Sequence, residues 1–475
     1  MMVNVQVISN RLPVEIKKNI SGGFNIRPSS GGLATGLLAL SEHMSINWIG
    51  WPGNCNLNNQ EKDGVGVILA KQKLFPIWLN SMDYEAYYKG FCNQILWPLF
   101  HYFPQIPVYS EASWESYKRV NQLFCDFIVS NYKPKDVIWI HDYHLMLLPK
   151  FLREKIPDAK IGFFLHIPFP HYEIFRQLPW AKEILESLGR SDIIGFHTQS
   201  YCDYFLEAVK MILKANKETK GFSYQGRKVM VDKFPIGIGY KNFSQLKNKE
   251  EVSKLAKSIK SKYINQKIIL SVDRLDYTKG IVNRLLAFEQ FLKTYPEYKT
   301  KIALLELIVP SRAEVAEYSS LKKEIDELSG RINGQYGTPF WTPVKYFYRN
   351  LNLSSLVALY RVADIALVTP LRDGMNLVAK EFIASQGKDP GVLILSKLAG
   401  AAEQLDQAIL INPHNINEMV HAIKEALEMD TIEKQLRVEV MKRCVKKYDI
   451  LFWAREFLSS LEMCSSKKEN PLVVQ

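Results

Sequence analysis

The chain has no long hydrophobic run. Nowhere in its 475 residues do about eighteen apolar side chains follow one another unbroken, so no segment reads as a membrane-spanning helix. The opening, Met-Met-Val-Asn-Val-Gln-Val-Ile-Ser, lacks the charged-then-apolar order of a secretory signal and reads as a strand. Cysteine is scarce: Cys55, Cys92, Cys125, Cys202, Cys444 and Cys464 are scattered without Cys-x-x-Cys spacing, which argues against a metal knuckle and a disulfide-stapled secreted scaffold. The Gly-x-Gly-x-x-Gly spacing of a dinucleotide site is missing as well, so a dehydrogenase is not indicated. There is no internal repeat or low-complexity block, and only the tail from Ser465 onward has a loose composition. These absences lead to the expectation of a soluble, cytoplasmic protein with reduced thiols.

Hydrophobic residues make up 47% of the chain, enough for two domains that each bury a core. Lys and Arg number 61 against 49 Asp and Glu, a formal charge of +12. The lysines concentrate in segments such as Lys247 to Lys262, where interspersed Ser and apolar residues suggest solvated helix faces rather than a nucleic-acid surface. A basic balance also suits phosphorylated small molecules.

Short runs rich in Val, Ile and Phe alternate with amphipathic stretches of helical period, the pattern of parallel sheets covered by helices on both faces. In the first half the spacing predicts strands at Val3 to Ile8, Val137 to His141, Ile161 to His166 and Asp192 to Phe196, with helices at Leu178 to Leu188 and Ser200 to Leu213. Phe234-Pro235-Ile236-Gly237-Ile238-Gly239 interrupts the alternation. A new series follows at Ile268 to Val272, Ile302 to Val309, Ile365 to Thr369, Val392 to Leu395 and Ala408 to Ile411. The expected domains are therefore residues 1–236 and 237–451, with a terminal helix over 452–475 packing back on the first. Ligands in doubly wound folds bind at the carboxyl edges of the strands.

Five segments could carry chemistry there. The first strand leads into Ser9-Asn10-Arg11-Leu12-Pro13 and then Ser29-Ser30-Gly31-Gly32-Leu33-Ala34, where a glycine pair at a helix start lets backbone N–H groups approach an anion. For a glycine pair alone, a plain turn and helix start is the commoner case. Val137-Ile138-Trp139-Ile140-His141-Asp142-Tyr143-His144 sets an Asp just past a buried strand, able to accept from sugar hydroxyls, and its histidines do not have the spacing of a helical zinc motif. Ile161 to Pro170 ends a strand with His166 and a proline-stiffened loop.

Ser271-Val272-Asp273-Arg274-Leu275-Asp276-Tyr277-Thr278-Lys279-Gly280 delivers a planar fork and a point charge, which suit the oxygens of a diphosphate, unless the cations simply sit in surface salt bridges with carboxylates. In Thr369-Pro370-Leu371-Arg372-Asp373-Gly374-Met375-Asn376-Leu377-Val378-Ala379-Lys380-Glu381, the residues Gly374 to Leu377 are expected to form the first turn of a helix, with Glu381 roughly 12 Å further along.

Taken together with Trp48-Ile49-Gly50-Trp51, Tyr87-Tyr88 and Leu96-Trp97-Pro98, these segments resemble the retaining glycosyltransferase family of trehalose-6-phosphate synthases, from Ser9 to about Asn412. With no phosphatase domain following, the free-standing synthase is the one resembled. The resemblance implies an α/β GT-B fold, two Rossmann-like doubly wound parallel-sheet domains facing a central cleft. It implies that Gly32, Arg274, Lys279 and the backbone of Gly374, Met375, Asn376, Leu377 and Val378 hold the donor diphosphate, that Glu381 binds the ribose, and that Asp373 faces the donor glucose. His166 would sit against the reacting sugar. Arg11, Trp51, Tyr88, Trp97 and Arg312 would receive glucose 6-phosphate, with Asp142 on its hydroxyls. Asp142, His166, Arg274, Lys279 and Asp373 are the implied catalytic set.

UDP-glucose is the implied donor, with no cofactor and no metal, no nucleic-acid or membrane partner, and a homo-oligomer left open. Asp273 departs from the Glu that many relatives carry. Relatives differ in donor base and acceptor, some making glucosylglycerol phosphate, so those choices stay open, as does a catalytically silent sugar-phosphate sensor.

Overall fold

The computed structural model describes residues 4–18, 23–28, 45–53, 56–311 and 316–466. The chain divides into two compact units, Met1–Ile236 with Ile450–Gln475, and Gly237–Asp449.

The first unit contains β1 (Val5–Arg11), β2 (Val14–Lys18), β3 (Phe24–Pro28), β4 (Ile46–Trp51), β5 (Leu74–Pro76), β6 (Val137–His141), β7 (Lys160–Phe164), β8 (Ile193–Phe196), β9 (Asn216–Glu218), β10 (Gly221–Tyr224) and β11 (Arg227–Lys233). Nine of these form one sheet in the order β5-β4-β1-β6-β7-β8-β11-β10-β9, while β2 and β3 pair as a separate hairpin. The pairing is parallel from β5 through β11. All five residues of β6 are buried, as expected of a central parallel strand covered on both faces. The chain reverses direction across the sheet between β1 and β6, which makes that gap the topological switch point.

The second unit has β12 (Lys267–Arg274), β13 (Ile302–Val309), β14 (Val344–Tyr348), β15 (Ile365–Val368), β16 (Val392–Ser396) and β17 (Ile409–Ile411), all parallel in the order β14-β13-β12-β15-β16-β17. This is the dinucleotide-binding strand order, with its switch point between β12 and β15. The core beneath combines Ile269, Leu304, Leu367 and Ile394 from the strands with Leu285, Phe288 and Phe291 from the helix Ile281–Thr294.

Several ends differ from the sequence expectation. β1 continues through Ser9 and Asn10 to Arg11 instead of stopping at Ile8, because Tyr87 donates to Asn10 Oδ1 at 3.0 Å and Trp48 Nε1 to Ser9 Oγ at 2.7 Å, satisfying polar residues inside the strand. β7 ends at Phe164, leaving His166 in the following loop. The helix expected from Leu178 begins at Ala181, since Pro179 has no N–H and disfavours helix at the residue before it.

The terminal helix Ile450–Ser466 packs on β7 and β8 at two glycines. A Cβ on Gly195 would lie 2.7 Å from Phe164 Cδ2 and 2.8 Å from Phe457 Cε2, and one on Gly162 would lie 2.7 Å from Phe457 Cε1. Both rings are fully buried. Gly195→Ala is therefore expected to destabilise the first unit by about 1–3 kcal/mol through overpacking. A urea midpoint indistinguishable from the parent protein would count against this helix–sheet contact.

Candidate active site

At the first switch point, Arg11 leaves the end of β1 and lies over the Trp51 ring, 4.8 Å from its centroid. Trp51 is buried, and its Nε1 has no hydrogen-bond partner among the described residues. The segment Tyr84–Leu96 is a π-helix, a form usually confined to single turns and frequent at functional sites. Its wider turn brings Tyr84 and Tyr88 into a stack at 5.5 Å and 18°. Trp51 meets Tyr84 at 5.1 Å and Tyr88 at 5.8 Å, and Tyr88 continues the wall by stacking on His144 at 6.0 Å. One cation thus stands beside a continuous aromatic surface, a combination suited to a sugar bearing a phosphate. Trp97 is buried next to it, 5.9 Å from Tyr143 and 4.2 Å from His101.

Just past β6, Asp142 is held at φ 76°, a left-handed conformation that costs a non-glycine residue energy and concentrates at functional sites. Its N–H donates to Phe164 O at 2.7 Å and its Oδ1 accepts from the His166 N–H at 3.2 Å, so the loops after β6 and β7 are tied together. His141 Nδ1 and His166 Nε2 lie 3.0 Å apart, one necessarily donating to the other. Burial holds His141 down at about 3. Burial, with His141 and His197 close by, puts His166 well below the usual imidazole range, so it is neutral near pH 7. A neutral His166 can donate or accept a hydrogen bond but brings no charge to a reacting sugar.

At the second switch point the loops after β12 and β15 lock together. Leu371 N–H donates to Thr278 O at 2.7 Å, and Thr278 caps on Asp276 Oδ1 through its N–H at 3.0 Å and its hydroxyl at 2.9 Å. Gly280 has φ +65°, and a Cβ there would be 2.3 Å from Thr369 O, so this close approach requires glycine. Lys279 Nζ donates to Asp373 Oδ2 at 2.6 Å, and Asn376 Nδ2 donates to the same oxygen at 3.2 Å. Asn376 is left-handed at φ 70° and accepts from the Ala379 N–H, capping the helix Leu377–Ser385. Arg274 is exposed at the end of β12.

Below these loops lies Arg284, wholly buried. It donates to Glu306 Oε1 at 2.7 Å and Oε2 at 3.1 Å, to Asp273 Oδ2 at 3.0 Å, and to Leu367 O and Thr369 Oγ1 at 3.3 Å each. Burial pushes both carboxyls up while Arg284 pulls them back. For Arg284 itself, desolvation lowers the pKa, but Glu306 and Asp273 together hold it above its ordinary value, so a compact charged triad is the expected state. Farther along the capped helix, Glu381 Oε2 accepts from the Tyr360 hydroxyl at 3.0 Å. Desolvation pushes this carboxyl up to about 7, and the phenol opposes the shift.

The family model for glycosyltransferase family 20 matches residues 3–463. The Saccharomyces cerevisiae alpha,alpha-trehalose-phosphate synthase [UDP-forming] 56 kDa subunit is 43% identical over 474 residues, covering 98% of this chain and 96% of that one. The chain belongs to family 20. Among solved structures, a Burkholderia xenovorans alpha,alpha-trehalose-phosphate synthase (UDP-forming) in complex with glucose-6-phosphate is 33% identical with a TM-score of 0.87, over 97% of this chain and 100% of that one. An E. coli structure bound with UDP-2-fluoro glucose is 35% identical with a TM-score of 0.87, over 97% and 99%. With these family 20 relatives the fold is GT-B, built from the two parallel-sheet units above.

Within this family 20 chain, Arg11, Trp51, Tyr88, Trp97, Asp142 and His166 gather at the first unit's switch point, and Arg274, Lys279, Asp373, Gly374, Met375, Asn376, Leu377, Val378 and Glu381 at the second's. Gly32 and Arg312 lie outside the described residues. Two expectations need correction. Gly374 to Asn376 precede the helix, which starts at Leu377, because the left-handed backbone of Asn376 cannot continue a helical turn. The helical rise of roughly 12 Å expected between Asp373 and Glu381 consequently does not apply, since only the stretch from Leu377 to Glu381 rises along a helix, about 6 Å.

Sequence reading missed Arg284, Glu306, Tyr360, Tyr84 and the contact of His141 with His166. Glu306 did leave a signal, a lone carboxylate inside Ile-Ala-Leu-Leu-Glu-Leu-Ile-Val. A charge at the centre of a buried strand requires a partner.

Proposed function

We propose that the chain transfers glucose from UDP-glucose to glucose 6-phosphate with retention, yielding α,α-trehalose 6-phosphate and UDP. The observation that carries this is the sorting of the polar groups by switch point. A cation against an aromatic wall with Asp142 suits a phosphosugar acceptor, and Arg274, Lys279, Asp373 and Glu381 around a capped helix start suit a nucleotide-sugar donor. Relatives described as UDP-forming trehalose-phosphate synthases, and one solved structure described in terms of glycosyltransfer with retention, support the same activity.

In this mechanism the C1–oxygen bond to the diphosphate breaks and an acceptor hydroxyl forms the new bond to C1 on the same face. Its proton passes to an oxygen of the departing phosphate. Arg274 and Lys279, with the unbonded N–H groups of Leu377 and Val378 at the helix start, meet the charge that grows on the leaving group. Their joint positive charge performs the role a divalent cation would otherwise serve, so the transfer runs without metal. Glu381 accepts from a ribose hydroxyl, Asp373 from the donor glucose, and neutral His166 hydrogen-bonds the reacting sugar.

Incubation with UDP-glucose and glucose 6-phosphate should release UDP and give one product, an α,α-linked phosphodisaccharide by NMR. Preference for glycerol phosphate as acceptor, or for GDP- or ADP-glucose as donor, would overturn the assignment. In the same assay, Arg11→Ala is expected to raise the KM for glucose 6-phosphate by about tenfold or more, the loss of a charge-assisted hydrogen bond, while the donor KM stays put. Equal effects on both substrates would remove Arg11 from the acceptor site.

A further inference from the structure

Tyr360 stands on the helix Leu353–Val362 and is 1% exposed. Both of its polar ends are tied to the neighbouring helix. The hydroxyl donates to Glu381 Oε2 at 3.0 Å, and the backbone carbonyl accepts from Gln386 Nε2 at 2.8 Å. Gln386 is fixed in turn, its Nε2 reaching Phe382 O at 3.1 Å and its Oε1 accepting from the Gly391 N–H at 2.9 Å. The Tyr360 ring meets Phe382 edge-on, at 6.4 Å and 83°. The phenol is thus an immobile donor aimed at one carboxylate oxygen.

Glu381 keeps part of its surface open to solvent while Oε2 is committed to the phenol, so Oε1 is the oxygen able to accept a second donor. We propose that Tyr360 is a positioning residue for the donor: its hydroxyl fixes Glu381 so that Oε1 faces the ribose of the nucleotide, an inference that rests on the ribose role proposed for Glu381 above. A carboxylate held by one fixed donor loses little rotational freedom when it accepts another, so the contact forms at smaller entropic cost. The phenol also favours the ionised carboxylate against the desolvation around it. Of the charged groups nearby, Asp273 bears on the phenol from the end of β12, and Lys380 donates to Gln404 Oε1 at 2.6 Å.

The test is steady-state kinetics with UDP-glucose and glucose 6-phosphate across the pH range around neutrality, for Tyr360→Phe, Glu381→Ala and the double variant. Tyr360→Phe should raise the donor KM roughly fivefold to tenfold, leave the acceptor KM unchanged, and move the acid limb of the donor kcat/KM to higher pH. In the Glu381→Ala background the same substitution should add nothing. KM does not depend on the fraction of enzyme folded, so partial unfolding of a variant cannot imitate this pattern. A donor KM raised by Glu381→Ala but within twofold of the parent in Tyr360→Phe overturns the role of Tyr360 alone. A Tyr360→Phe effect that persists undiminished without Glu381 does the same. A donor KM unmoved by Glu381→Ala overturns the ribose contact itself.

Discussion

Lys279→Ala is expected to lower kcat/KM for the nucleotide-glucose by roughly a hundredfold to a thousandfold, with most of the loss in kcat. Two effects act in the same direction. The substitution removes a preorganised positive charge where the diphosphate gathers negative charge, a kind of contribution worth about 10²–10³ in rate. It also leaves Asp373, whose Oδ2 accepts from Lys279 at 2.6 Å, without its cation beside an anionic leaving group. The interaction strengthens as charge grows on the leaving diphosphate in the transition state, so KM should rise less than kcat falls.

Lys279→Arg should not restore the rate, because a planar fork cannot occupy the space of a compact ammonium that is only 8% exposed. Lys279→Ala within about threefold of the parent, less than ~1 kcal/mol, would remove Lys279 from the chemistry.

The fold was legible in the sequence wherever burial on both faces forced unbroken apolar strands. Ile302–Val309 matches its expected limits, and β15 falls within one residue of them. The loops at the strand ends were legible as places for Arg274, Lys279 and Asp373, since polar residues after a buried strand have few other reasons to cluster. Their local geometry was not. Whether Asn376 continues a helix or caps it in a left-handed conformation depends on Asp373 and Ala379, which offer hydrogen bonds only once the loop is folded. The support beneath was least legible of all. Arg284 looks like an ordinary residue of an amphipathic helix, and Asp273 and Glu306 come from β12 and β13 and Thr369 from just past β15, strands whose adjacency is a property of the sheet order, not of sequence spacing.

That dispersed support gives the largest expected stability effect. Arg284→Met keeps much of the side-chain volume but leaves Asp273 and Glu306 buried without a cation, and the second unit is expected to lose about 3–5 kcal/mol. The deficit should depend on pH with a definite sign. Burial already raises both carboxyls above their unfolded values, and loss of the Arg284 attraction raises them further. Groups with raised folded pKa values give stability that is complete below the unfolded carboxylate range and is lost as pH rises through the folded values. Arg284→Met should therefore be nearest to the parent at acid pH and fall progressively behind toward neutrality, as read from the urea transition of the second unit. A deficit that shrinks as pH rises would show that the carboxylates are not the cause. Replacing the whole triad by apolar residues separates its two roles. With Glu306→Leu and Asp273→Leu added to Arg284→Met, β13 becomes continuously apolar and folding should largely recover, since a buried ion group exchanged for packed hydrophobic residues is often neutral or stabilising. Activity should not recover with it, because Arg284 also donates to Leu367 O and Thr369 Oγ1, at the strand end from which the Asp373 loop departs. A refolded triple variant with full activity would reduce the triad to a structural element of the sheet.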